Sequence, residues 1–518
     1  MITHSKTKYK SVPVLIIALA AFIFFSPLSA SATKWVGTWS TAPQLVEPGN
    51  NPPSPGLSNN TLRQIIHVSI GGDTLRMRFS NEFSTSPVTM HSVHIAVSLG
   101  SDTIDTAADI PLHFDGDTAV TMPPGTAVLS DPFYFPLQPL SNVAITIYFG
   151  TTSATVTGHP GSRTTSYILT GNEISKADFS GAVTTEHWYV INTIDVKAPD
   201  SAYAVAVLGN SITDGRGSGT NKQNRWPDEL ARRLQADPGT RRVAVLNEGI
   251  GGNCVLRQCL GPSALSRFER DVLNQSGVKW LIILEGINDI GGAYGAQGSA
   301  QVAQNLIAAY GQMIDSAHAK GIRVYGATMT PFGGSFYDSP DHQNAWHTVN
   351  DWIRNSGRFD AVIDLAKALQ DTTDSLRLLP DYDSGDHLHP SETGHRIMAE
   401  AVDLTLFFAD STATMINENF GTQPNTFSLS QNYPNPFNPS TIIKYSLPES
   451  GYVSLKVYNL LGQEEASLFD GFRHAGNYTA TFNAKNLASG LYFYQLKAIP
   501  AGRQAENFID TKRLMLLK

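Results

Sequence analysis

At 518 residues the chain exceeds what one ordinary core holds, so two to four domains are expected. Its composition, 41% hydrophobic and 16% charged, fits globular domains and excludes a disordered polymer. The net charge is −8 and no long Lys/Arg run occurs, which argues against nucleic acid as a partner.

Residues 1–32 read as a leader. Lys6, Lys8 and Lys10 precede an apolar run from Val14 to Phe25, and Ala30-Ser31-Ala32 resembles a signal-peptidase site before Thr33. A retained anchor is the alternative, although the apolar run is short for a bilayer span. Cleavage would leave a protein outside the cytoplasm. There, Cys254 and Cys259, the only two cysteines, can close a disulfide within one loop. Two packed thiols are the other reading, and a zinc site has no second ligand pair nearby in sequence.

Residues 33–198 read as short strands between turns. Leu75, Met77 and Phe79 alternate with Arg76 and Arg78. Val143, Ile145, Ile147 and Phe149 alternate with Ala144, Thr146 and Tyr148. A period of two sends one set inward and the other outward. Gly71-Gly72-Asp73 carries a hairpin signal, and the whole segment predicts an antiparallel β-sandwich or jelly roll. Trp35 and Trp39 suit sugar stacking, but aromatics in a sandwich are more often core.

From 199 to 410 the pattern changes to continuous apolar strands alternating with amphipathic stretches. Strands are predicted at Tyr203–Leu208, Arg242–Leu246, Trp280–Leu284, Arg323–Thr328 and Ala361–Leu365. Helices are predicted at Trp226–Leu234, Ser263–Asn274, Ala300–Ala319 and Gln343–Arg354, with a closing helix from Ser391 to Phe408. Strands buried on both faces lose their alternation, so the expectation is a three-layer α/β/α domain with a parallel sheet. Residues 411–426 read as a linker. Residues 427–518 predict a small C-terminal β-sandwich, with strands at Val453–Tyr458, Tyr478–Phe482 and Leu491–Leu496.

Reactive residues gather at predicted strand ends, where open parallel sheets form ligand crevices. Gly209-Asn210-Ser211-Ile212-Thr213-Asp214-Gly215 follows the first strand and presents Ser211 on a sharp turn, though not in a G-x-S-x-G elbow. Asn247-Glu248-Gly249-Ile250-Gly251-Gly252-Asn253 follows the second and lets backbone N–H groups approach a ligand. Glu285-Gly286-Ile287-Asn288-Asp289 follows the third; Asn288 could donate to an oxyanion or simply cap a turn. In Asp386-His387-Leu388-His389-Pro390 an aspartate three residues before a histidine can orient the imidazole as the base a serine needs. His387 and His395 are competing bases, and a metal reading of Asp386, His387 and His389 lacks a remote ligand set.

In this order the four blocks resemble the SGNH or GDSL hydrolases, over about Ala204 to Asp410. The resemblance assigns Ser211, Asp386 and His389 to a catalytic triad and Ser211, Gly252 and Asn288 to an oxyanion hole, with no metal or organic cofactor. The family's first block usually reads G-D-S, and Asn210 replaces the aspartate here. Trp35-Val36-Gly37-Thr38-Trp39-Ser40, Thr61-Leu62-Arg63-Gln64 and Arg225-Trp226-Pro227-Asp228 resemble a bimodular bacterial subgroup described as aryl or carbohydrate esterases. Tyr433-Pro434-Asn435-Pro436-Phe437-Asn438 and the closing Lys512-Arg513-Leu514-Met515-Leu516-Leu517-Lys518 resemble a type IX secretion sorting domain. An adhesive or carbohydrate-binding module is its alternative. Together these imply a secreted or cell-surface esterase from a Gram-negative bacterium of the Bacteroidetes kind, with the secretion machinery as partner. The expected substrate is an acetylated plant polysaccharide such as xylan or a pectin-like chain, the alternative a small aryl, lipid or polyester ester. A non-catalytic surface carbohydrate-binding protein is the reading from a different class.

Overall fold

The computed structural model of the chain describes residues 32–408, 426–449, 451–473, 476–485, 487–500 and 507–518. The leader expected over 1–32 and the linker expected over 411–426 fall outside these residues, save for Ala32 and Thr426.

The N-terminal region is built from antiparallel strands in a five-stranded sheet, an eight-stranded sheet and a small third one. In Gly72–Asn81, Leu75, Met77 and Phe79 are buried while Arg76 and Arg78 are not, as the alternation predicts. Asn142–Phe149 departs from its alternation, because Ala144 and Thr146 are buried as well. A second apolar cluster, containing Ile65, Ala96, Ile104, Tyr167 and Phe179, covers that outer face. Arg63 runs through this layer, its guanidinium 3.8 Å from the Phe179 ring centre and donating to the carbonyls of Asp102, Lys176 and Ala177.

Gly71-Gly72-Asp73 is not a hairpin. Asn60–His67 belongs to the eight-stranded sheet and Gly72–Asn81 to the five-stranded one, so the glycines turn the chain from one sheet to the other. A Cβ on Gly71 would lie 2.4 Å from the Leu137 carbonyl oxygen, which is the close approach that demands glycine. Trp39 is core, edge-to-face with Trp188 at 5.1 Å between ring centres.

The five parallel strands Tyr203–Gly209, Val243–Gly249, Val278–Leu284, Arg323–Ala327 and Ala361–Ile363 form one sheet, with the second strand at one edge, beside the first. That edge strand is covered by the N-terminal region, which solves the exposed-edge problem of an open sheet. Gly37 packs on Leu246, the Gly37 N–H donates to the Ser276 carbonyl at 2.9 Å, and the Val245 N–H donates to Ser69 Oγ at 3.1 Å. Ala204, Ala244 and Leu246 consequently share one core with the β-rich region.

Helices Trp226–Ala236, Gly295–Ala319 and Pro340–Asn355 flank the sheet. The stretch predicted as one helix over Ser263–Asn274 is a short α-helix, Ala264–Phe268, running into a π-helical turn, Glu269–Leu273. The closing helix is shorter than predicted: it spans Glu392–Glu400, and a separate 3₁₀ turn follows at Leu404–Phe407. Arg233 satisfies carbonyls at and beyond its end, those of Ala399 and Val402, while Asp403 caps the next turn. In the C-terminal region two antiparallel sheets of three and four strands enclose their own core, including Ile443, Leu455, Tyr494 and Leu514.

Candidate active site

Ser211 opens the helix Ser211–Asp214 directly after the first parallel strand. Glycine is required at 209, where a Cβ would lie 2.1 Å from Thr213 Oγ1, and Gly215 closes the turn at φ 107°. Asn210 is the N-cap, its Oδ1 accepting the Ile212 N–H at 3.1 Å. Being first in the helix, the Ser211 N–H has no intrahelical acceptor.

Ser211 Oγ lies 2.8 Å from His389 Nε2, and His389 Nδ1 lies 2.6 Å from Asp386 Oδ2. Asp386 Oδ1 accepts the backbone N–H groups of Leu388 and His389 at 3.1 and 2.9 Å. The three-residue spacing allows this, since one tight loop supplies the carboxylate, the ring and both N–H donors. Burial would raise the Asp386 carboxyl, but these donors and the imidazole outweigh it and hold it down at about 2. Burial lowers His389 below the ordinary histidine range; Asp386 raises it, while Arg216 and Arg163 lower it further.

The competing histidines have other partners. His387 is exposed and pairs with Asp383 at 2.5 Å. His395 is fully buried; its Nδ1 accepts the Trp226 N–H at 3.2 Å and its Nε2 faces the Arg216 carbonyl at 3.1 Å. Burial lowers it to about 4, so it is a neutral bracket.

Gly252 adopts φ 68°, and a Cβ there would press on Leu260 at 2.8 Å. Cys254 and Cys259 are bonded, closing the loop that follows, with Cα atoms 5.6 Å apart. Asn288 Nδ2 donates to the Asn253 carbonyl at 2.7 Å, and its Oδ1 accepts from Tyr337 Oη at 3.1 Å. These two bonds fix the amide and leave its second hydrogen for another acceptor. Its neighbour Asp289 accepts the Val255 and Leu256 N–H groups at 2.8 and 3.0 Å and so ties the disulfide loop to the Asn288 turn. Next to Tyr337, Phe336 is exposed, and the two ring centres are 4.3 Å apart.

Beneath these loops lies a buried polar layer that sequence reasoning missed. Arg267 donates to the Gly209 and Glu248 carbonyls and to Asn253 Oδ1, holding the ends of the first two parallel strands together. Its only sequence signal is a cation inside an otherwise amphipathic stretch. Asn210 Nδ2 donates to Glu285 Oε2 at 3.2 Å. An aspartate at 210 would keep the Ile212 cap but lose the Nδ2 donor that Glu285 Oε2 accepts from, so the amide suits this particular neighbour. Burial pushes Glu285 up to about 8, with Arg267 opposing it and Asp289 adding to it. A carboxyl whose folded pKa is raised contributes stability below its unfolded pKa and loses it as pH rises through the folded value. Melting temperature should therefore fall as pH is taken from about 5 past about 8. Glu285→Gln, which mimics the protonated acid, should flatten that fall, and an unchanged slope would refute the assignment.

Two contacts join the β-rich region to the hydrolase domain near Ser211, one at Glu248 on the second parallel strand and one at Asp214 on the serine helix. Ser40 Oγ donates to Glu248 Oε1 at 2.5 Å, and His159 Nε2 meets Asp214 Oδ1 at 2.8 Å while its Nδ1 donates to the Ala42 carbonyl at 3.0 Å. Among the described residues no His/Cys/Asp/Glu group suited to a metal ion occurs, and no helix is long and apolar enough to cross a membrane.

Residues 207–397 match the GDSL-like lipase/acylhydrolase family, and residues 431–507 match the secretion system C-terminal sorting domain. Among solved structures the chain is similar to an acetylxylan esterase from Geobacillus stearothermophilus, at 22% identity over 39% of this chain and 92% of that one, TM-score 0.30. It is also similar to a GDSL-like lipase from Bacteroides thetaiotaomicron, at 20% identity over 38% of this chain and 84% of that one, TM-score 0.29. None of the curated proteins matches it.

Proposed function

We propose, for a chain whose residues 207–397 belong to the GDSL-like lipase/acylhydrolase family, that Ser211, His389 and Asp386 act as a catalytic triad removing short acyl groups, above all acetyl, from plant-type polysaccharides such as xylan. The chain is a carboxylic ester hydrolase, and its type IX sorting domain makes it a secreted or cell-surface protein. The catalytic unit spans 199–410, between a β-sandwich over 33–198 and, past a linker over 411–426, the sorting domain over 427–518; residues 1–32 are a leader.

The observation that carries the reading is the continuous chain Ser211 Oγ to His389 Nε2 at 2.8 Å and His389 Nδ1 to Asp386 at 2.6 Å. Neutral His389 takes the Ser211 proton as Oγ attacks the ester carbonyl, and Asp386 stabilises the imidazolium without taking the proton. The Ser211 and Gly252 N–H groups and the Asn288 amide hold the oxyanion. Imidazolium protonates the leaving alcohol, and water, deprotonated by the same ring, releases the acid from the acyl-enzyme. Exposed Phe336, packed beside the Tyr337 that bonds Asn288, suits a sugar or aryl face. Asn288→Ala should lower kcat on p-nitrophenyl acetate about 10²- to 10³-fold, the loss typical of one oxyanion donor, with a smaller change in KM. A loss below about threefold would remove Asn288 from the hole.

The test is turnover of p-nitrophenyl acetate, butyrate and octanoate beside acetate release from acetylated xylan, before and after treatment with an organophosphonate that labels activated serines. Loss of xylan deacetylation on stoichiometric labelling of Ser211 supports the polysaccharide deacetylase. Preference for octanoate with xylan untouched moves the substrate to the lipid or polyester class. Full activity with Ser211 stoichiometrically labelled, or activity lost through labelling of a different serine, overturns the triad.

A further inference from the structure

Arg163 belongs to the β-rich N-terminal region, yet its charge is felt by His389 and the loop that carries it packs on the serine helix. The loop carrying it is seated on the serine helix: His159 bonds Asp214, and Gly161 lies so close to Asp214 that a Cβ would sit 1.8 Å from its Oδ2. Beyond the helix the same loop is pinned by residues 221–223. The Asn221 N–H donates to the Arg163 carbonyl at 2.9 Å, Asn221 Oδ1 accepts the Thr165 N–H at 2.8 Å, and Gln223 Nε2 donates to Thr164 Oγ1 at 3.3 Å. Arg163 itself holds φ 51°, a left-handed conformation uncommon for a residue with a Cβ.

The surroundings bring this arginine no counter-charge. Its Nε is buried without a hydrogen-bond partner, and its guanidinium meets no carboxylate among the described residues. Arg216, the other cation felt by His389, differs: it lines an open depression with Asp381, Asp383, Asp386 and Glu392. A half-buried guanidinium whose charge depresses a catalytic histidine, and which no carboxylate pairs, weakens the base unless an anion arrives with the substrate.

We propose that Arg163 is a specificity-determining residue that pairs with a carboxylate carried by the sugar chain beside the scissile ester, so that the preferred substrate is an acylated polysaccharide containing uronic acid. This rests on the esterase reading above and narrows it. The β-rich region then completes the substrate site in addition to bracing the hydrolase sheet.

The experiment compares wild type, Arg163→Ala and Arg163→Lys on acetylated oligogalacturonides, acetylated xylo-oligosaccharides and p-nitrophenyl acetate. Wild type should favour the acidic glycan in kcat/KM by about tenfold or more at low ionic strength, the contribution expected of one charged hydrogen bond, and the preference should shrink with salt. Arg163→Ala should erase it through KM on the acidic substrate, and Arg163→Lys should restore part. His389 faces Asp386, Arg216 and Arg163, so losing one cation should also move the acid limb of the p-nitrophenyl acetate profile to higher pH. Equal losses on acidic and neutral glycans, with no shift of that limb, would overturn the proposal. A binding arm separates it from the esterase reading: calorimetry of oligogalacturonide on Ser211→Ala, with and without Arg163→Ala. If no ester is turned over through Ser211 but affinity falls about tenfold with Arg163, the anion site stands and the esterase reading fails. Equal affinities refute the anion site whatever the esterase result.

Discussion

Ser211→Ala is expected to lower kcat on p-nitrophenyl acetate by about 10⁴-fold or more, because the residual rate then comes only from binding and oxyanion donors. The hydroxyl meets His389 at 2.8 Å, and the residue is half-buried at the start of a four-residue helix. Removing Oγ leaves the Asn210 cap, the Gly209 turn and the Arg267 brace in place. Stability should therefore stay within about 0.5 kcal/mol of wild type, as for a substitution away from core and caps. The pairing of a large kinetic loss with an unchanged melting temperature separates a nucleophile from a structural serine. A variant that keeps more than about a hundredth of kcat would assign the ester chemistry to another group, and His389 would then act on water directly.

Much of the parallel sheet can be read from the chain because its strands are continuous apolar runs, and burial on both faces leaves no alternation to misread. The D-x-x-H element is legible for a different reason: Asp386 and His389 meet through a single loop, so three residues of sequence already contain their geometry. Long-range features escape. The Gly71-Gly72 turn carries the local chemistry of a hairpin, but which sheet each flanking strand joins depends on partners more than a hundred residues away, such as Ile191–Pro199. Ala144 and Thr146 follow an outward period and are buried by a layer that Phe179 and Arg63 supply from elsewhere. The closing helix ends at Glu400, and the Ala399 carbonyl it leaves at its end is taken by Arg233 from a different helix. Asn210 is the instructive case for the site. As a departure from G-D-S it reads as a weakness; beside Glu285, whose carboxyl burial pushes up to about 8, it is the residue that can donate. The contribution of the β-rich region has the same character, since nothing near Arg163 or His159 in sequence announces Ser211, Asp214 or His389.

Asp386→Asn should lower kcat by about 10³- to 10⁴-fold while barely changing the side chain's shape. Asp386 has two acceptor oxygens with separate duties: Oδ1 takes the Leu388 and His389 N–H groups, and Oδ2 takes the proton of His389 Nδ1. Asparagine has one acceptor for these positions. Turning its NH₂ towards Oδ1's place sets it against two backbone donors at 2.9 and 3.1 Å, so the amide oxygen stays there instead. The NH₂ then points at Nδ1, and the imidazole can accept it only by moving its own proton to Nε2. In that tautomer Nε2 donates to Ser211 Oγ rather than accepting from it, and the base is lost without any atom leaving its place. Asp386→Ala removes the wrong donor together with the carboxylate, so it should retain more activity than the isosteric change. Measured side by side on p-nitrophenyl acetate, the order wild type, then alanine, then asparagine supports the tautomer argument. The reverse order of the two variants would mean that Asp386 acts mainly by holding the loop.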